Sequence, residues 1–134
     1  LSDFFDAVFK QFNVGPGRAV LLGFSQGGGM TYRCGLGRAD HFAGLVALSA
    51  TLPDQDELAA RLPEGRDQSI FIGHGRFDQM VSDDSAQSAK SFLESNGYSP
   101  EFHIYDMAHE ISGEELADLV PWMAKVLPPL ASPE

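Results

Sequence analysis

Apolar runs of strand length alternate with stretches of helical periodicity along this chain, and that alternation restricts its fold more than any other feature. The strand candidates are Ala19 to Phe24, Phe42 to Leu48, Ser69 to Ile72 and Glu101 to Tyr105, the third ending at Gly73-His74-Gly75. The first is continuously apolar, the mark of a strand buried on both faces. Between them lie helical segments. Leu1 to Phe12 repeats Phe4, Phe5, Val8, Phe9 and Phe12 on one face, with Ser2 as N-cap. Gln26 to about Gly37 is rich in glycine, each costing about 1 kcal/mol against alanine in a helix interior, so it must be held by close packing. Asp54 to Leu62 lies between Pro53 and Pro63. Ser82 or Asp83 caps a helix to Ser95, closed by Asn96-Gly97. The last runs from Gly113 to about Val126, with Pro121 inside it expected to kink the axis. Strands and helices in strict alternation across short loops predict an α/β fold, a mostly parallel sheet flanked by helices.

The 134 residues suffice for one domain over 1–134, with 128–134 as a tail. Hydrophobic residues at 43% and charged ones at 21% exclude a disordered chain. A formal net charge of −10 argues against nucleic acid, whose recognition needs Lys and Arg to displace counterions. The single cysteine, Cys34, cannot form an internal disulfide and fits a reducing, cytoplasmic compartment. No apolar run approaches the length of a membrane span.

In parallel α/β sheets chemistry gathers at the carboxyl ends of the strands, and Ser25 lies there. It sits in Gly23-Phe24-Ser25-Gln26-Gly27-Gly28, between the first strand and the helix that follows. This is a nucleophile elbow, in which small residues on both sides allow a tight, strained turn that lifts the hydroxyl clear. The turn also places the Gln26 N–H at a helix N-terminus, where developing negative charge is favoured. The bland alternative is a glycine turn in which the serine is incidental.

A serine nucleophile needs a base oriented by a carboxylate. His41 lies at the amino end of the second strand, the wrong edge. His103 alternates with Phe102 and Ile104 in mid-strand and reads as a strand residue; His74 ends the third strand and reads as a turn residue near the site. His109, just past the fourth strand, fits the base. Among carboxylates, Asp83 and Asp84 read as N-terminal capping residues of the next helix, stabilising through its dipole, while Asp106 and Glu110 are too close to His109 in sequence to reach the far side of its ring. Asp78, in the loop after the third strand, fits the acid. Ser25, Asp78 and His109 then follow in the chain order of α/β-hydrolases. The cluster Gly27-Gly28-Gly29 lacks the Lys-Ser/Thr ending of a phosphate loop, and the histidines and cysteine show no zinc spacing. Cys34, Phe24, Phe77, Met80 and Met107 take core packing as their default role.

The segments GFSQGG at 23–28, LSATLP at 48–53, HGRFDQMV at 74–81 and YDMAHEISGEEL at 105–116 resemble the phospholipase/carboxylesterase family of α/β-hydrolases, which includes acyl-protein thioesterases. The resemblance implies Ser25 as nucleophile, Asp78 as acid, His109 as base and Gln26 as one oxyanion donor. It implies hydrolysis of carboxylic esters of small or medium acyl chains, without metal or organic cofactor, with thioesters and lysophospholipids as alternatives within the family. Ala50 stands where the family has glycine, an added methyl expected to alter the acyl pocket. The resemblance begins at the helix before the nucleophile strand. The family's earlier strands, and the His-Gly-rich loop that gives its second oxyanion donor, have no counterpart in these residues.

Ala19 to Phe24 is therefore expected at an open sheet edge, which invites pairing. Two arrangements would cover it: an amino-terminal segment of a longer chain, or a homodimer. A third reading is a catalytically silent fragment or interaction module that associates through this edge.

Overall fold

In the computed structural model, residues 2–128 are described, apart from the side chain of Ser2; the expected Ser2 cap and the tail beyond Pro128 lie outside the described residues. Nine elements follow one another: α1 (Ser2–Gln11), β1 (Ala19–Phe24), α2 (Gln26–Gly35), β2 (Phe42–Leu48), α3 (Gln55–Ala59), β3 (Ser69–Gly75), α4 (Asp83–Ser95), β4 (Glu101–Tyr105) and α5 (Gly113–Val126). The four strands form one parallel sheet in the order β1-β2-β3-β4. Each strand pairs with the next in sequence because a helix of suitable length carries the chain back across the sheet.

Alternation along the strands divides the core in two. Leu45, Ala47, Ile70 and Ile72 face one side, where Tyr32 of α2, Leu58 of α3 and Ala86, Ala89, Phe92 and Leu93 of α4 bury them, with Phe5 and Phe9 of α1 alongside. Val46, Leu48 and Phe71 face the other, covered by Leu119 and Trp122 of α5. Side chains as large as Leu45 on the first side and Phe71 on the second are wholly buried, each stabilised by about 1.5–3 kcal/mol of hydrophobic burial.

Several boundaries differ from expectation. Helix α2 stops at Gly35 because Leu36 turns extended and Gly37 takes φ of 81°. Helix α3 is only five residues long, capped by Asp54, whose side chain accepts the Glu57 N–H. Strand β3 continues three residues further, through His74 to Gly75, because β4 pairs with it to that point. Ser82, not Asp83, caps α4, accepting the Asp84 N–H. Helix α5 runs uninterrupted through Pro121, with Ser112 as its cap. Strand β1 is at the sheet edge, as expected, but is not buried on both faces. Leu22 is 44% exposed, since α5 crosses β2, β3 and β4 and leaves this side of β1 open. Among the described residues no helix is long and apolar enough to cross a membrane.

Candidate active site

The end of β1 is forced into a tight turn. Ser25 has φ of 58° and ψ of −119°, a region that L-residues occupy only under strain of about 1–3 kcal/mol. The backbone before it leaves no alternative: a Cβ on Gly23 would overlap the Gly27 carbonyl as α2 starts back over the strand. Inside the turn, Ser25 N–H donates to the Leu48 carbonyl at 2.8 Å, and the Ser25 carbonyl accepts from Gly28 N–H at 3.0 Å. The second glycine of the elbow behaves differently, because a Cβ on Gly27 would meet nothing within 4 Å. Tight packing falls instead on Gly28, where a Cβ would collide with the Ala50 methyl. Ala50 thus packs on α2 and is not among the residues lining the cavity at Ser25.

The three residues singled out in the sequence converge on one side-chain chain. His109 Nε2 lies 3.0 Å from Ser25 Oγ, and His109 Nδ1 lies 2.7 Å from Asp78 Oδ2. The other Asp78 oxygen, Oδ1, accepts N–H bonds from Met80 at 2.9 Å and Val81 at 2.8 Å. Burial pushes the Asp78 carboxyl up, but the Val81, His109 and Met80 hydrogen bonds together outweigh it and hold the group below its ordinary value. Asp78 is therefore ionised where an imidazole needs a partner. Its acceptance at His109 Nδ1 fixes the tautomer with Nε2 free to take a proton from the serine.

Two loops carry Asp78 and His109, and they are hydrogen-bonded to each other. Arg76 N–H donates to the Tyr105 carbonyl at 2.8 Å and Phe77 N–H to that of Met107 at 3.1 Å. The loop that carries His109 also presses on β3: a Cβ on Gly75 would overlap the carbonyl oxygens of both Met107 and Ala108. Gln26 opens α2, so its N–H has no acceptor within the helix. A small cavity of about 110 Å³ adjoins it, lined by Ser25, Gln26, Gly29, Thr51 and Val81.

The remaining candidates lie apart. His41 pairs with Asp6 at 2.8 Å at the amino end of β2. His103, partly exposed in β4, pairs with Glu101 at 3.0 Å. Asp106 faces outward against Arg76. His74 is not a turn residue; it lies within β3, fully buried, its Nε2 2.7 Å from the Val81 carbonyl. Core packing holds for Met107 but not for Phe77 or Met80, which are 60% and 78% exposed. They flank the residue of that loop that turns inward, Asp78. Phe24 packs its ring 4.8 Å from that of His109. The sequence reading missed Gly29, Thr51 and Val81 as cavity residues, for no local pattern marks them. Among the described residues no group of three or more His, Cys, Asp or Glu is placed to hold a metal ion.

The sequence profile described as Phospholipase/Carboxylesterase matches residues 1–127. An acyl-protein thioesterase 1 of Mycosarcoma maydis is 36% identical over 117 residues, covering 83% of this chain and 49% of that protein. A probable carboxylesterase of Oryza sativa subsp. japonica is 34% identical over 110 residues, covering 81% of this chain and 41% of that protein. The crystal structure of Arabidopsis thaliana SOBER1 superposes with a TM-score of 0.82 at 28% identity, over 93% of this chain and 62% of that one. Esterase PE8 shares the fold, with a TM-score of 0.86 at 24% identity over 94% of this chain and 58% of that one. The chain spans about half the length of the relatives it matches.

Proposed function

The chain belongs to the phospholipase/carboxylesterase family, and from that premise we propose that it carries the catalytic centre of a serine hydrolase acting on carboxylic esters of small or medium acyl chains. The observation that carries the reading is the unbroken run from Ser25 Oγ through His109 to Asp78, with separations of 3.0 and 2.7 Å. His109 Nε2 takes the Ser25 proton as Oγ bonds to the acyl carbon. The carbonyl π electrons move to its oxygen, which the Gln26 N–H receives. Asp78 stabilises the imidazolium that forms. Collapse expels the alcohol, to which His109 returns the proton, leaving an acyl-Ser25 ester. Water then attacks with His109 as base, and the same sequence frees the acid and the serine. The cavity beside Ser25 and Gln26 is small and has room for a short acyl group.

Thioester cleavage follows the same steps with a thiol as leaving group, and the relative named acyl-protein thioesterase keeps that substrate class in play. A fluorophosphonate probe is expected to modify Ser25, and Ser25→Ala to abolish both labelling and turnover of p-nitrophenyl acetate. Clean labelling of another serine refutes the assignment. A second reading rests on the open edge of β1, with Leu22 and Met30 exposed beside it: a silent module that associates there. Association without labelling or turnover favours that reading.

A further inference from the structure

His74 is a buried imidazole that the proposed chemistry does not use. It stands between two glycines of β3 that each seat part of the site. Gly73 lies beneath the Glu115 side chain of α5, and Gly75 beneath the loop that carries His109. His74 itself meets the loop that carries the acid. Its Nε2 is 2.7 Å from the Val81 carbonyl and 3.5 Å from Asp78 Oδ2. A carbonyl only accepts, so Nε2 bears the proton in this bond. The side chain is sealed from solvent, and Nδ1 has no hydrogen-bond partner among the described residues. The ring is therefore held by one strong contact, to Val81.

We infer that His74 is a positioning residue for Asp78: by tying the Val81 carbonyl to β3, it holds the carboxylate at the angle His109 requires. The inference rests on reading Ser25, His109 and Asp78 as a catalytic relay. Asp78 Oδ1 accepts the N–H groups of Met80 and Val81, so the carboxylate and the backbone of 78–81 form one unit. At its near end this unit is fixed to the strand by the bond from Asp78 N–H to the Gly75 carbonyl, at 3.2 Å. His74 fixes the far end. The direct approach to Asp78, at 3.5 Å, is too long for a good hydrogen bond, so the effect passes through Val81. Without that donor the unit is free to tilt about its near end. A misplacement of about 1 Å in such a relay costs on the order of 100-fold in rate.

Three variants of the chain separate positioning from space-filling. His74→Leu keeps comparable bulk without a donor. His74→Gln places an amide N–H near the position of Nε2. His74→Asn has a donor too short to reach Val81, and it replaces the leucine variant in the comparison should that one not fold. The readouts are the rate of fluorophosphonate labelling at Ser25, kcat and KM for p-nitrophenyl acetate, and the far-downfield NMR proton of His109 Nδ1. Leucine is expected to lower kcat and the labelling rate by roughly 10- to 100-fold with KM little changed, and to erase the downfield proton; glutamine is expected to restore most of each. A folded leucine variant with the wild-type rate and proton signal overturns the inference, as does a folded glutamine variant as slow as leucine. If the wild-type chain neither labels nor turns over, the serine-hydrolase reading fails separately. The downfield proton, which needs no turnover, then decides the matter for His74 alone.

Discussion

Replacing Glu115 with glutamine should remove a pH dependence of stability that the wild-type chain owes to this residue. Glu115 is wholly buried in the first turn of α5, its carboxyl over Gly73, and neither oxygen has a hydrogen-bond partner among the described residues. Its backbone N–H is capped by Ser112, but the side chain does not return to the cap. Burial pushes the carboxyl up from 4.5 to about 7. The native state therefore holds this proton more tightly than the unfolded chain does. Stability contributed by the protonated form is complete at low pH and declines as pH rises from about 4.5 through about 7. The shift corresponds to about 3 kcal/mol, on the order of 10 °C in Tm for a domain of this size. Urea denaturation at pH 5 and pH 8.5 measures it. Wild type should lose about 2.5 kcal/mol more than Glu115→Gln across that interval, slightly less than the full shift because pH 5 already lies above the unfolded value, and other titrating groups are common to both. Asp78 acts in the opposite sense and at lower pH, its stabilisation vanishing only as pH falls through its depressed value. Parallel stability curves for the two proteins would refute the argument, for they would mean that Glu115 finds solvent or a partner when ionised.

Ser25→Gly should raise stability by about 1 kcal/mol by relieving the positive φ while abolishing probe labelling, as read by thermal melts and mass spectrometry on the same samples. Gly27→Ala should fold with unchanged or higher Tm, because its methyl meets open space and alanine favours the helix by about 1 kcal/mol. Gly28→Ala should lose about 1–3 kcal/mol by overpacking against Ala50; equal Tm values for the two would contradict the packing. Asp78→Asn should lower kcat for p-nitrophenyl acetate on the order of 10⁴-fold, with KM little affected, by favouring the wrong His109 tautomer.

The placement of Ser25, Asp78 and His109 was legible because a parallel sheet converts sequence order into spatial order. A residue just past the carboxyl end of any strand arrives at the same edge, whatever lies between. The elbow was legible in part. The glycine pattern marked the turn, but it could not tell that Gly28, not Gly27, carries the packing constraint, since that depends on where Ala50 lands from β2. His74 was misread for a related reason. A histidine between glycines looks like a turn until β4 is seen to extend β3 to Gly75.

Local rules acting on neighbouring residues determined the element order, the α/β class and the strand-end placement of Ser25, Asp78 and His109, because strand periodicity, helix spacing and turn chemistry are all written within a few residues. Long-range packing decided what no local pattern encodes. It left Leu22 exposed on an edge strand, buried Glu115 without a hydrogen-bond partner among the described residues, turned Phe77 and Met80 outward around Asp78, and set His74 against Val81. Each of these depends on which helix happens to cross a given stretch of sheet. That contact joins residues far apart in the chain, so its energy appears only once the chain has folded.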